Sequence, residues 1–143
     1  MAVYPITLTS DDNDTFMVTS SAFPELATFG ESEAAAKAQA VEAILEAIAA
    51  RMSGGEDVPA PGDHARRDGG ATVAVPLNVE AKVWLYRCLI AAGINRAELA
   101  RRLGWHRPQV DRLFDLDHQS KNEQLEAAFA ALGYQVGLTV SAA

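Results

Sequence analysis

The chain has a single cysteine in 143 residues, Cys88. It can therefore form no internal disulfide, and no thiolate metal site is expected. Cys88 sits among Trp84, Leu85, Leu89 and Ile90, where a small buried hydrophobe is the simplest reading. No apolar run approaches the length needed to span a bilayer. The opening MAVYPITLTSDDND has no basic stretch followed by an apolar core, so it does not read as a secretory signal. Long low-complexity tracts are missing too, and 49% hydrophobic with 22% charged residues argues against global disorder. These absences fit a cytoplasmic location, and the chain is long enough to bury a core, as one domain or two small ones.

Signs of catalysis are equally scarce. His64, His106 and His118 have no Cys, His or Asp partner at ligand or triad spacing. The glycine pairs at 54–55 and 69–70 belong to a linker and form no phosphate loop. DDND offers Asp11, Asp12 and Asp14, but a two-metal nuclease gathers carboxylates from separate strands, whereas these share one turn. A calcium loop needs a central glycine and a terminal glutamate that are absent here. No catalytic residue, metal or cofactor is expected, and the turn reads as solvated.

What the chain does have is an uneven charge. The formal total is -7, yet residues 1–70 carry -8 and residues 71–143 carry +1. Within 96–112 five arginines face only Glu98 and Asp111, a local +3. An acidic half joined to a locally basic half points to two partners of opposite charge.

The patterning divides near residue 77. VYPITLT alternates, with Tyr4, Ile6 and Leu8 on one face, and reads as a half-buried strand. SDDND is a turn cluster, TFMVTS a second strand, and ELATFG a short third one closed by Gly30. ESEAAAKAQAVEAILEAIAARM follows as a helix with Ser32 as N-cap and Val41, Ile44, Leu45, Ile48 and Met52 as its inward stripe. Residues 53–70 hold five glycines and two prolines and predict a long loop. ATVAVPL then returns as a strand that must rejoin the earlier ones, with Pro76 at its end.

From Asn78 the period is helical. VEAKVWLYRCLIAAG predicts a helix capped by Asn78 and stopped by Gly93. A second helix starts at Asn95, with Glu98 completing a capping-box variant and Ile94 placed to staple Leu99. WHRPQVDRLFD predicts a third, with proline in its first turn and Trp105 placed to staple Val110. A fourth opens on a Ser120–Glu123 capping box and ends at Gly133. YQVGLTV is a final strand or an extended tail. The fold class is α+β: a small sheet with one helix over 1–77, then an all-α unit over 78–143.

RAELARRLGWHRPQVDRLF meets the requirements of a helix–turn–helix in register. Ala100 is small where the helices cross, and Gly104 supplies positive φ in the turn. Leu99, Leu103, Val110 and Leu113 are spaced to fill the wedge, with Trp105 and Phe114 also read as core. If the second helix enters the major groove, His106, Arg107, Gln109, Asp111 and Arg112 face the bases. Arg96, Arg101 and Arg102 are better placed for phosphates. Asp111 has two readings, a base contact or a pair with a neighbouring arginine. Such readers gain affinity as two-fold dimers. Leu125, Phe129, Leu132 and Tyr134 are candidates for the subunit contact of a homodimer or higher even oligomer, or equally for core against the first C-terminal helix.

With PELATFGESEAAAKAQAVEAI, GEDVPAP and the helix–turn–helix in hand, nearly the whole chain resembles the HicB antitoxins of bacterial type II toxin–antitoxin pairs. Gly30-Glu31-Ser32 and the helix behind it match the family's G-[DE]-[ST]-x-x-E-A pattern except at Ala35, which replaces an acidic residue. Pro59 and Pro61 match its loop ending, and His106 stands where such motifs often carry Ser or Thr. The resemblance implies a partly RNase H-like N-terminal domain without nuclease activity. It also implies a HicA-like partner, a small basic mRNA-cleaving toxin, and operator DNA bound by the C-terminal domain. The alternative is a helix–turn–helix regulator whose N-terminal domain senses a small ligand.

Overall fold

The computed structural model describes residues 3–62 and 71–142; the loop segment 63–70, with His64, lies outside the described residues. In chain order the elements are β1 (Val3–Pro5), β2 (Thr7–Ser10), β3 (Phe16–Thr19), β4 (Thr28–Gly30), α1 (Glu33–Ser53), β5 (Thr72–Ala74), α2 (Leu77–Ala92), α3 (Arg96–Leu103), α4 (Arg107–Arg112) and α5 (Asn122–Ala131). The fold is α+β, strands first and helices after.

The opening alternation yields two strands instead of one, because the chain changes partners at Ile6. Ahead of it β1 runs antiparallel to β5, with Tyr4 opposite Val73. Beyond it β2 pairs with β3, which pairs with β4. The Ile6 amide is still satisfied, donating to the Ala71 carbonyl at 3.0 Å. The strand after the long loop thus rejoins the first one, as that loop required.

In the three-stranded sheet, Leu8, Val18 and Thr28 face one side, and so do Ser10, Phe16 and Gly30. This is the side α1 covers. Ser32 caps the helix by accepting from the Ala35 amide at 3.0 Å. Ala36, Ala40, Ile44, Ile48 and Met52, spaced four apart, form its buried stripe, while Val41 and Leu45 flank it half-buried. Each large aliphatic in that stripe contributes about 2 kcal/mol by leaving water. Alanine at its start lets β4 come close: a Cβ on Gly30 would lie 2.2 Å from the Ala36 nitrogen.

Tyr4 and Phe23 pack edge to face with centroids 5.0 Å apart, and the Tyr4 hydroxyl donates to the Pro59 carbonyl at 2.8 Å. Arg51, in the last turn of α1, stacks over Phe23 and grips Glu25 with two bonds of 2.7 and 2.8 Å. The guanidinium holds the Glu25 carboxyl below its usual range.

Only Val75 and Pro76 separate β5 from α2. Pro76, in extended backbone, is the N-cap of α2 and makes no side-chain cap bond, so the expected Asn78 cap is not formed. Asn78 instead reaches across the bundle: its amide donates to the Ser120 carbonyl at 3.0 Å and its oxygen accepts from the Ser120 amide at 3.2 Å. That exchange also removes the Ser120–Glu123 box. Ser120 is buried, its hydroxyl is directed at the Arg112 carbonyl, and α5 starts after Lys121 without a side-chain cap. Tyr86 and Arg87 of α2 donate to the carbonyls of Glu56 and Val58, fixing the helices to the loop behind α1. One continuous apolar cluster, from Tyr4 to Phe129, runs through both units. Residues 134–142 form no strand and run as an exposed tail.

Candidate nucleic-acid interface

Helices α3 and α4 pack together in the arrangement of a helix–turn–helix. Asn95 caps α3, its side-chain oxygen accepting from the Glu98 amide at 2.9 Å. Gly104 ends α3 with φ at 69°, and the Trp105 amide turns back to the Ala100 carbonyl at 3.0 Å. Leu99, Ala100, Val110 and Leu113 are buried, and Leu103 and Trp105 are half-buried against them. Phe114 is buried as well, 6.5 Å from the Tyr86 ring. Every residue read as wedge or core lies there.

The α4 start is held by Gln109 in place of a hydroxyl cap. Its side-chain oxygen accepts from the His106 amide at 2.9 Å, which leaves only the NH2 end of that side chain to face outward. His106, Arg107, Gln109 and Arg112 are all exposed. Asp111 pairs with two arginines, Arg107 at 3.0 Å and Arg96 at 3.3 Å. Burial pushes its carboxyl up, but the two guanidinium groups outweigh that and hold it below the usual range. Arg96 also stacks over Phe114 at 4.8 Å, so it is fixed from two sides.

Glu98 organises a second trio. It accepts from Arg101 at 2.6 and 2.8 Å and from Arg102 at 3.3 Å. These bonds, Arg101 first, draw the Glu98 carboxyl down to about 2. Each trio keeps one surplus positive charge, and Arg112, with no side-chain partner among the described residues, supplies the third. Exposed carboxylate–arginine pairs are weak, so phosphate oxygens can compete for the same guanidinium groups.

Sequence reasoning missed Lys82. It is fully buried, and its ammonium donates to the carbonyls of Arg112 (2.9 Å), Asp115 (2.5 Å) and His118. Burial pushes its pKa down while Asp115 partly opposes this. The signal was present, because Val79, Lys82, Val83, Tyr86 and Leu89 share one helical stripe.

Leu125 and Phe129 are buried in α5, which packs on α2 and α3; Leu132 is half-buried and Tyr134 is 45% exposed. A cavity of about 830 Å³ separates α2, α5 and the tail, lined by Trp84, Cys88, Phe129, Tyr134, Val136 and Leu138 among others. The Cys88 thiol is half-buried there and pushed up by that burial. Asp11, Asp12 and Asp14 lie in one exposed turn, and no cluster of three or more metal-ligating side chains occurs among the described residues. No helix among the described residues is long and apolar enough to cross a membrane.

The fold is α+β, a small sheet with one helix followed by a helical unit that contains a helix–turn–helix. Residues 3–84 match the family model of the HicB-like antitoxin of bacterial toxin–antitoxin systems. Over 120 residues the chain is 38% identical to Antitoxin HicB of Pseudomonas fluorescens (strain Pf0-1), covering 84% of this chain and 82% of that one. It is 34% identical over 137 residues to Antitoxin HicB of Escherichia coli (strain K12), covering 96% and 98%. Antitoxin HicB 1 of Photorhabdus laumondii is 30% identical, covering 96% and 86%. The chain belongs to the HicB-like antitoxin family.

Proposed function

We propose that this protein acts by binding alone, through two surfaces. The acidic unit, residues 1–77, neutralises a HicA-like mRNA-cleaving toxin, and the helix–turn–helix unit, residues 78–143, represses the shared operon in the cytoplasm. The observation that carries the DNA half is the α3–α4 pair with arginines 96, 101, 102, 107 and 112 gathered on it, in a chain of net charge -7. For the toxin half the support is family membership together with -8 on residues 1–70, which favours a basic partner.

Arg107 and Arg112, with His106 and the Gln109 amide, read bases, while Arg96, Arg101 and Arg102 hold phosphates. Asp111 serves by positioning arginines. The reader works as a two-fold dimer. Support for the contact comes from the tail, where Tyr134, Val136, Leu138 and Val140 alternate and stay exposed.

The test is co-purification with the product of the adjacent gene, run beside a gel shift on their common promoter. A stable complex is expected, with a salt-sensitive shift abolished by Arg107→Ala plus Arg112→Ala. A shift without a protein partner leaves a plain repressor, and the absence of both a shift and a partner overturns the reading.

A further inference from the structure

One face of the β2–β3–β4 sheet is covered by α1; the other is not covered by any described element. Strand register puts Thr9, Met17 and Phe29 side by side on that open face, with Thr7 and Thr19 beyond them. Phe29 is 55% exposed and Met17 half-buried, so the aromatic ring gains little from folding. It lies on β4, an edge strand of its sheet.

The same register brings acidic groups to one end of this sheet. Ser10, Phe16 and Gly30 lie opposite one another, so the Asp11–Asp14 turn and Glu31 leave the sheet at one end. Asp11, Asp12, Asp14 and Glu31 are all exposed, and no ion pair engages them among the described residues. Glu25 differs, because Arg51 already neutralises it. An apolar anchor beside unneutralised carboxylates is complementary to a surface with an apolar recess and a cationic rim.

We infer that this open sheet face, anchored on Phe29 and Met17 and rimmed by Asp11, Asp12, Asp14 and Glu31, is the docking surface for a basic protein. The inference rests on the toxin-binding reading and names its surface. Phe29 contributes the desolvated centre, and the carboxylates accelerate encounter and exclude acidic partners.

The test is calorimetric titration of the full chain with the purified basic protein encoded beside it. Phe29→Ser is expected to weaken binding on the order of 30-fold, as an aromatic anchor does when truncated. The triple change Asp11→Asn, Asp12→Asn and Asp14→Asn should flatten the salt dependence of the affinity. Glu42→Gln with Glu46→Gln, on the exposed side of α1, is the control and should leave both unchanged. All substituted residues are exposed, so thermal melts should match wild type. If wild type binds and the Phe29 and aspartate variants bind equally well, the surface is wrong while toxin binding stands. If wild type does not bind, the toxin reading fails and the inference with it. If Phe29→Ser leaves toxin affinity intact but changes the mass of the free protein in solution, the face is a contact between copies and the inference is overturned.

Discussion

The ammonium of Lys82, buried at the middle of α2, donates to the carbonyl of Arg112, the last residue of α4, at 2.9 Å. With Asp115 and His118 it has one carbonyl for each proton. The end of α4 is thus closed by a cation from another helix, where orphan carbonyls and the helix dipole both favour one. Lys82→Met strips those carbonyls of their donor inside the core. The expected loss is about 2–5 kcal/mol in urea unfolding. Lys82→Arg should not restore it, because a planar fork cannot replace a compact three-proton head. An unchanged midpoint would show that the carbonyls find other donors.

Asp111 fixes the direction of Arg107 from one helical turn away. On the proposed function, Asp111→Ala should lower discrimination at one guanine position by about 1–3 kcal/mol. Binding to non-specific DNA should hold or strengthen, since a negative charge is lost. Competition gel shifts with operator variants measure both. Equal discrimination by Asp111→Ala and wild type would mean that Arg107 is positioned by DNA alone.

Glu98 gives an acid-side signature. Its folded pKa, about 2, lies below its ordinary value of 4.5, so the trio stabilises the fold above pH 4.5 and loses that contribution as pH falls toward 2. Glu98→Gln should therefore be less stable than wild type at neutral pH, with the gap closing through that window. Acid titration of unfolding by circular dichroism reports it. A gap independent of pH would assign the effect to something other than the carboxylate.

Two glycines should fail for opposite reasons. Gly30→Ala drives a Cβ to 2.2 Å from backbone in α1, and overpacking of this kind costs about 1–3 kcal/mol or more. Gly104→Ala meets nothing within 4 Å, but its φ of 69° costs an L-residue about 1–2 kcal/mol. Gly104→Asn should recover part of the second loss, whereas Gly30→Ser should recover none of the first. Melting temperatures of the four variants separate strain from collision.

Elements with a local code were legible in the chain. The Ala-rich α1 with its Ser32 cap, the Asn95 cap and the Gly104 turn are each set by neighbours within a few residues. Three features that misled or escaped are non-local. Asn78 and Ser120 look like caps, yet each is taken by the other across 42 positions. Lys82 lies on the inward stripe of α2, but its three carbonyl partners come together only when the 112–118 turn is folded over it. The first strand looks continuous, but two different partners divide it at Ile6. On the α3–α4 surface, composition located the arginines and offered Asp111 as a pair for one of them, while its two partners and the Glu98 trio emerged from geometry.

Helix α2 is gripped along one short stretch from two directions. Tyr86 and Arg87 hold the Glu56 and Val58 carbonyls, and Lys82, one turn earlier, holds the end of α4. With only Val75 and Pro76 before it, there is little slack to absorb tilting. The N-terminal unit is therefore carried as a fixed outrigger and not as a bead on a string. On the proposed function, the spacing between the two DNA-facing helices of a two-fold assembly would be a dimension of the whole folded chain, cut to one operator length and not adjustable by a linker.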